Sequence, residues 1–431
     1  MPENRFSLRF LREMKRNPLR ALSEATAQDS PMSRLESGPF RCHVITDPDV
    51  AAKALTGSGH TYRRTPDLAF WFPPAGEGVA SSPHDKWLRQ RRLLAPYFKA
   101  STEKRLTEIT ATEADRLIDR LSAVAGTGEV ELQALVMETT LRIAVQHLLL
   151  RPFPVESAPI SAAIQTAMHY ATPGRAIKYR ILGPLNRKLA KRALHPRPKR
   201  EALQVLEDFV DKLIALARAH PESRAPLMSA LLEADTNGEL DPGELRDHVA
   251  TFLVAAVDSV GSSIIWTLWQ LAQQPDHAQR AGSSKVWAEA SVLESMRITP
   301  PLWIYWREVN EDHELAGVSI RKKDLVVFVP YVIHMRPEIW ESPTEFRPER
   351  FVQNDRIAGE TGYRYMPFGH GGHACLGRRM AMTESREVVH RISERFKLQL
   401  APRTARQGSD AEEVRVAVLV KDGMWAHISE R

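Results

Sequence analysis

The ten residues Phe368-Gly369-His370-Gly371-Gly372-His373-Ala374-Cys375-Leu376-Gly377 place one thiol among four glycines, and a helical pattern follows at once, from Gly377 to Phe396. Glycine allows tight turns and lets a flat, bulky group approach the backbone. Free amides at a helix N-terminus favour a thiolate over a thiol. Amides bonded to that sulfur would tune a metal held by it. The chemistry therefore points to a ligating thiolate. Two other readings stand beside it. One is a zinc site drawing on His370, His373 and Cys375, which needs a fourth ligand from elsewhere. The other is a glycine turn with an inert cysteine.

Working outward, Cys42 is the only other cysteine in 431 residues. A disulfide scaffold is excluded, and neither thiol has a CxxC partner for a four-sulfur cluster. So few thiols fit a reducing cytoplasm, and the plain reading of Cys42 is a core thiol. Composition is that of a folded globular protein, 43% hydrophobic and 26% charged. The formal net charge of +6 is too small and too scattered to indicate nucleic acid. No run of about 18–20 apolar residues occurs, so no transmembrane anchor is expected. Residues 1–40 read as a basic N-terminal segment. Its stretch Met1 to Arg20 is mildly amphipathic and lacks the apolar core of a secretory signal. Gly174 to Arg200 holds ten Lys/Arg and no acid, as a solvated or anion-facing surface would.

Periodicity predicts helices over Lys86 to Ala123, Glu201 to Ala219, Pro242 to Gln274 and Lys285 to Ile298. Strand patterns are short: Arg41 to Ile45, Val318 to Ile320 and Leu325 to Val329. The expected fold is mainly α with a small β region, one domain over residues 41–431.

The cysteine loop resembles the haem-binding loop of cytochrome P-450, FxxGx(H/R)xCxG, at Phe368, Gly371, His373, Cys375 and Gly377. The resemblance implies the cytochrome P-450 fold and haem b, with Cys375 as the iron ligand, His373 near a propionate and Phe368 beside the sulfur. A thiolate ligand pushes electron density onto iron and favours O–O cleavage.

Other motifs occur in the order this resemblance requires. Glu294 and Arg297 supply ExxR, a motif that also begins at Glu13, Glu113 and Glu412. Position selects Glu294, because Pro300-Pro301 end its helix and strands follow. Phe346-Arg347-Pro348-Glu349-Arg350-Phe351 resembles the family's PERF segment, so Arg350 would share the Glu294 carboxylate with Arg297 in a structural triad. Trp87 and Arg91 match a WxxxR helix. One helical turn puts both donors on one face, suited to a haem propionate. Arg307 falls where the family places another propionate-binding arginine.

Within Pro242 to Gln274, Ala255-Ala256-Val257-Asp258-Ser259-Val260 matches the family's AGx(D/E)T(T/S) only in part. Asp258 and Ser259 take the acid and alcohol positions. Oxygen activation consumes protons, and a hydroxyl recharged by a carboxylate can relay them. The alternative for Asp258 is a salt bridge to a neighbouring element. Ala256, Ser259 and Val260 depart from the pattern, which bears on reaction type.

The resemblance implies a monooxygenase that activates O2 and oxidises a hydrophobic small molecule, most often by hydroxylation. Its rivals are coupling, rearrangement or peroxide-driven chemistry on the same fold, and a haem sensor without turnover. Apolar candidates for the substrate pocket are Leu68, Phe70, Trp71, Phe72, Ala255, Ala256, Leu302, Trp303, Ile304 and Tyr305. Electrons, ultimately from NAD(P)H, would come from a separate ferredoxin or flavodoxin-type donor. Arg89, Arg92, Lys99, Arg378 and Arg379 would steer an acidic one.

Overall fold

The computed structural model describes all residues except 1–2, 6–7, 27–29, 38–39, 57–60, 66–75, 100–102, 152–155, 173–194, 359–361 and 408–410. Helices dominate, as expected. In chain order they are α1 (Leu8–Arg16), α2 (Pro18–Ala25), α3 (Pro48–Thr56), α4 (His84–Leu94), α5 (Glu103–Val124), α6 (Leu132–Leu149), α7 (Ser157–His169), α8 (Arg197–Ala219) and α9 (Pro226–Thr236). There follow α10 (Glu244–Ala255), α11 (Gly261–Gln273), α12 (Pro275–Ser283), α13 (Lys285–Ile298), α14 (Pro330–His334), α15 (Arg378–Arg395) and the short α16 (Pro402–Ala405).

The small β region is a mixed sheet of β1 (Glu3–Arg5), β2 (Met32–Ser37), β3 (Phe40–Ile45), β4 (Tyr62–Arg63), β6 (Tyr305–Val309) and β9 (Leu325–Phe328), in the order β1-β2-β3-β9-β6-β4. Parallel pairing of β3 with β9 sets Cys42 opposite Leu325. A second sheet joins β12 (Phe396–Leu400), β15 (Trp425–Glu430) and β5 (Glu129–Glu131). Two small antiparallel pairs are β7 (His313–Leu315) with β8 (Val318–Ile320) and β10 (Val352–Gln353) with β11 (Arg356–Ile357). The hairpin of β13 (Glu412–Val414) and β14 (Val418–Val420) stands apart from both sheets.

The basic segment before residue 41 is woven into this body. It contributes β1 and β2 to the sheet, Leu19 and Leu22 to the core, and Phe10 and Met14 against that core. Phe10, Met14, Leu19 and Leu22 are therefore covered by the protein's own interior.

The long central helix is α10 and α11 joined by a single π turn, Ala256–Val260. Gly243, at φ 86°, opens it, and Glu244 and Asp247 favour its positive end. Pro275 closes it by starting α12. Gly261 packs closely on Met137, whose buried side chain would have to shift to admit a Cβ there. Glu244–Gln273 is long and apolar enough to cross a membrane by length and composition alone, but 78% of its most apolar stretch is buried inside the body. Leu253, Val257, Ile264, Ile265 and Leu268 pack into the protein's own core, which makes it a core helix.

Candidate active site

The cysteine loop is held from three sides. The Cys375 amide donates to the Phe368 carbonyl at 2.9 Å, and the Ala374 amide to the Gly371 carbonyl at 3.1 Å. Arg91 in α4 donates to the Ala374 carbonyl at 2.9 Å. Gly371 sits at φ +71°, with its Cα so near α3 that a Cβ would lie 2.5 Å from the Leu55 carbonyl oxygen. Gly377 starts α15, and its amide donates to the Cys375 sulfur.

Cys375 is exposed, yet burial raises its pKa above the ordinary thiol value, while the Gly377 amide and the charges of Arg91 and Arg378 pull it down. Both observations hold when the sulfur faces an open interior space rather than bulk water. The zinc reading fails. His373 lies with its ring centroid 3.7 Å from that of Trp87, and His370 Nε2 is 3.1 Å from the Tyr365 carbonyl. Among the described residues no group of three or more His, Cys, Asp or Glu side chains is placed to hold a metal ion.

Beside the thiol is a set of cations for which the described residues show no carboxylate partner. Arg307 is buried and donates to the Trp306 carbonyl at 2.7 Å. Arg64 donates to the Val79 carbonyl at 2.6 Å. Burial, then the charges of Arg307 and Arg91, pushes Arg64 well below the ordinary guanidinium value. Burial also lowers Arg91 and Arg307. His373 is driven strongly down by burial and by Arg64, Arg307, His84 and Arg91, and its Nδ1 is buried without a partner. Buried cations normally have counter-charges. A flat dianionic group reaching from Cys375 to Arg64, Arg91, Arg307 and His373 would supply them, so the residues present fit haem b. Trp87 is buried behind His373. Arg64 and His84 were missed in the sequence. Arg64 adjoins Arg63, which pairs with Glu308 at 2.8 Å, and nothing local distinguishes the two arginines.

The triad forms as expected. Glu294 and Arg297 are 0% exposed, joined by two bonds of 2.8 Å. Arg350 donates to the same carboxylate at 3.2 Å and the Arg347 amide at 3.0 Å. It reaches the cysteine loop through His334, also unforeseen. His334 Nε2 accepts from the Met366 amide at 2.9 Å, so its Nδ1 carries the proton and donates to the Arg297 carbonyl at 3.1 Å. The Tyr365 hydroxyl donates to the Leu293 carbonyl at 2.8 Å.

At the end of α10, just before the π turn, Ala255 is exposed while Val254 and Val257 are buried, so this side of the central helix borders open interior space. Phe252, Ala256 and Ser259 share that face and are half-buried. The Ser259 hydroxyl donates back to the Ala255 carbonyl at 2.6 Å. Asp258 points elsewhere, with Oδ1 3.9 Å from Arg415 on the hairpin. Acid and alcohol are neighbours in sequence but lie roughly a quarter turn apart around the helix.

Two pocket expectations need revision. Trp303 is fully buried and donates to the Arg415 carbonyl at 2.8 Å. Ile304 is buried in the core. Leu302 is half-buried, like Phe252 and Ala256. An apolar core side chain and a pocket side chain look alike in sequence. Leu68, Phe70, Trp71 and Phe72 lie outside the described residues, as does most of the basic run from Gly174. Arg89 is not a free docking charge, because it bonds Glu244 at 2.7 Å and the Glu239 carbonyl. Arg92, Lys99 and Arg379 are exposed, and Arg378 is half-buried with its guanidinium 5.6 Å from the Phe368 ring centre.

Comparison with known proteins agrees with this geometry. The chain is 26% identical over 414 residues to cyclooctatin synthase of Streptomyces melanosporofaciens, covering 91% of this chain and 88% of that one. It is 25% identical over 424 residues to pentalenene oxygenase of Streptomyces avermitilis, covering 90% and 89%. The crystal structure of CYP175A1 from Thermus thermophillus matches with a TM-score of 0.78 at 23% identity, over 100% of both chains. The family described as Cytochrome P450 matches residues 5–282 and 287–425. With its thiol, triad and fold in the order that match requires, the chain belongs to the cytochrome P450 family and is a monooxygenase of that family.

Proposed function

We propose that this enzyme is a haem-thiolate monooxygenase that hydroxylates a hydrophobic, terpene-like small molecule, with Cys375 as the iron ligand. The observation that carries the reading is a thiol open to interior space beside buried arginines that find no carboxylate among the described residues. Bound haem b would supply oxygen activation. Arg64, Arg91, Arg307 and His373 hold its propionates. Gly377 tunes the sulfur by its hydrogen bond. Phe252, Ala255 and Ala256 give the substrate space an apolar wall. Ser259 holds a hydroxyl at that wall, where it can pass a proton to or from ordered water. The substrate class rests on relatives named for pentalenene and cyclooctatin chemistry.

Electrons come from a separate ferredoxin or flavodoxin-type protein, ultimately from NAD(P)H. The exposed Arg92 and Arg379 favour an acidic donor. A cytoplasmic location accords with a chain whose two cysteines are not joined in a disulfide.

The test is Cys375→Ser. The variant loses the red-shifted carbon monoxide band of the reduced protein, and a retained band removes Cys375 as ligand. A spin-state screen with terpene hydrocarbons reports the substrate class, and a panel that leaves the spectrum unmoved argues against it. A second reading, peroxide-driven or coupling chemistry on the same fold, is favoured by Ala256, Ser259 and Val260 and by Asp258 facing Arg415. It requires product from added hydrogen peroxide without a redox partner.

A further inference from the structure

Gln90 of α4 is a polar side chain with no access to water, 0% exposed. It sits in sequence beside Arg91 and one turn from Trp87. Its amide nitrogen donates to the Glu77 carbonyl and to Glu244 Oε1, each at 2.8 Å. Both partners only accept, so chemistry fixes which way the amide points. Its oxygen accepts from the Ser82 hydroxyl at 2.6 Å. Glu244 opens α10 and is buried too. Its Oε2 accepts from Arg89 at 2.7 Å and from the Asp241 amide at 2.9 Å, with Lys86 3.9 Å away. His248 Nε2 stands 3.4 Å from Oε1, outside good hydrogen-bond geometry. Burial alone would raise the Glu244 pKa. The His248 ring, the Asp241 amide, Arg89 and Gln90 outweigh burial and hold the carboxylate ionised.

A second clasp runs beside this one. The Glu77 amide donates to Asp247 at 2.7 Å, and Lys86 pairs with Glu77 and Asp241 at 3.0 Å each. The side chains of α4 thus divide between two sides of the helix. Lys86, Arg89 and Gln90 turn to the start of α10. Trp87 and Arg91 turn to the cysteine loop, where they meet His373 and the Ala374 carbonyl. Phe252 and Ala255 of the pocket wall lie roughly two to three turns further along α10.

We infer that Glu244 is a positioning residue for the haem edge: through Gln90 it fixes the roll of α4, and with it the reach of Arg91 toward a propionate. A carboxylate suits this place because it accepts from Gln90, Arg89 and the Asp241 amide at once. Without it the buried Gln90 amide keeps only the Glu77 carbonyl, and α4 must turn to satisfy it. Arg89 and Lys86 are half-buried and can reach water instead. Gln90 cannot, so it carries the coupling. The same contact sets the haem edge in register with the helix that walls the substrate space.

This inference rests on the haem reading, and its test separates the two. Holoenzyme is prepared as wild type, Gln90→Met, Glu244→Gln, Arg91→Met and the double variant Gln90→Met with Arg91→Met. Haem transfer to excess apomyoglobin and the midpoint potential of the haem are measured for each, and urea unfolding of each apoprotein shows that it folds. Arg91→Met speeds transfer about 10- to 100-fold. Gln90→Met and Glu244→Gln each speed it about tenfold. Both also lower the potential, because a cation withdraws from the propionate. The double variant is scarcely faster than Arg91→Met alone. Rates that multiply in the double variant overturn the assignment, since they show Gln90 and Arg91 acting independently. So does an unchanged transfer rate in a destabilised Gln90→Met, which leaves Glu244 a clip at the helix start. Should Glu244→Gln fail to fold, the nearly isosteric Gln90→Met decides alone. A wild type that holds haem without the red-shifted carbon monoxide band overturns the thiolate ligand instead, while the transfer cycle still decides the Gln90–Arg91 link.

Discussion

Arg64→Met should have opposite consequences for the empty and the loaded protein. The side chain is buried among like charges, and its one bond is to the Val79 carbonyl at 2.6 Å. Methionine keeps the apolar stem. In the apoprotein the lost bond costs about 1 kcal/mol. Burying an uncompensated cation costs several kcal/mol in its own right, so removing it at least offsets that loss. The apoprotein should thus be no less stable than wild type. In the loaded protein a charge-assisted bond to a propionate is gone, worth about 1.5–3 kcal/mol. That corresponds to cofactor loss about 10- to 100-fold faster. The assays are urea unfolding of the apoprotein and haem transfer to an excess of apomyoglobin. A destabilised apoprotein with an unchanged transfer rate would refute the reasoning, because it would show Arg64 to be a structural residue facing no anion.

Three further outcomes follow from the same geometry. Glu294→Gln leaves Arg297 charged and enclosed, and should cost about 3–5 kcal/mol in urea unfolding; a loss under about 1 kcal/mol would show the triad to be dispensable. His334 is held near pKa 3 by burial, with Arg297 adding to the effect. Its folded value lies below its unfolded value, so the unfolded chain binds the proton first as pH falls. Stability present above about pH 6.5 is therefore lost progressively toward pH 3, by about 2–3 kcal/mol at pH 4.5. His334→Gln should lack that share of the acid sensitivity, and matching pH dependences in the two proteins would contradict the assignment. Ser259→Ala should cut product per NAD(P)H on the order of tenfold, with hydrogen peroxide rising in its place. Unchanged coupling would remove Ser259 from the relay.

The cysteine loop, the triad and the central helix were legible in the sequence because each is a local pattern with fixed spacing. Glycines at 371 and 377, the Glu294–Arg297 turn and the Pro300-Pro301 stop express constraints that act within a few residues. What escaped was set by distant contacts. Arg64 and Arg63 are adjacent, and only the fold buries one beside Arg307 while the other pairs with Glu308. Arg415 belongs to an ExxR string, Glu412 to Arg415, that has no place in the triad, yet a hairpin carries it to Asp258. Trp303 and Arg89 carry the right chemistry for pocket and docking surface, and tertiary packing assigns both elsewhere.

The contact between Gly371 and the Leu55 carbonyl turns α3 into a gauge for the sulfur. Because the gap admits no methyl, an alanine at 371 would be absorbed by displacement of the loop. Its mark would be a changed ligand field at the metal beside the loss of stability that alanine at a positive φ brings. Calorimetry would register the strain, and only spectroscopy would trace it to the sulfur.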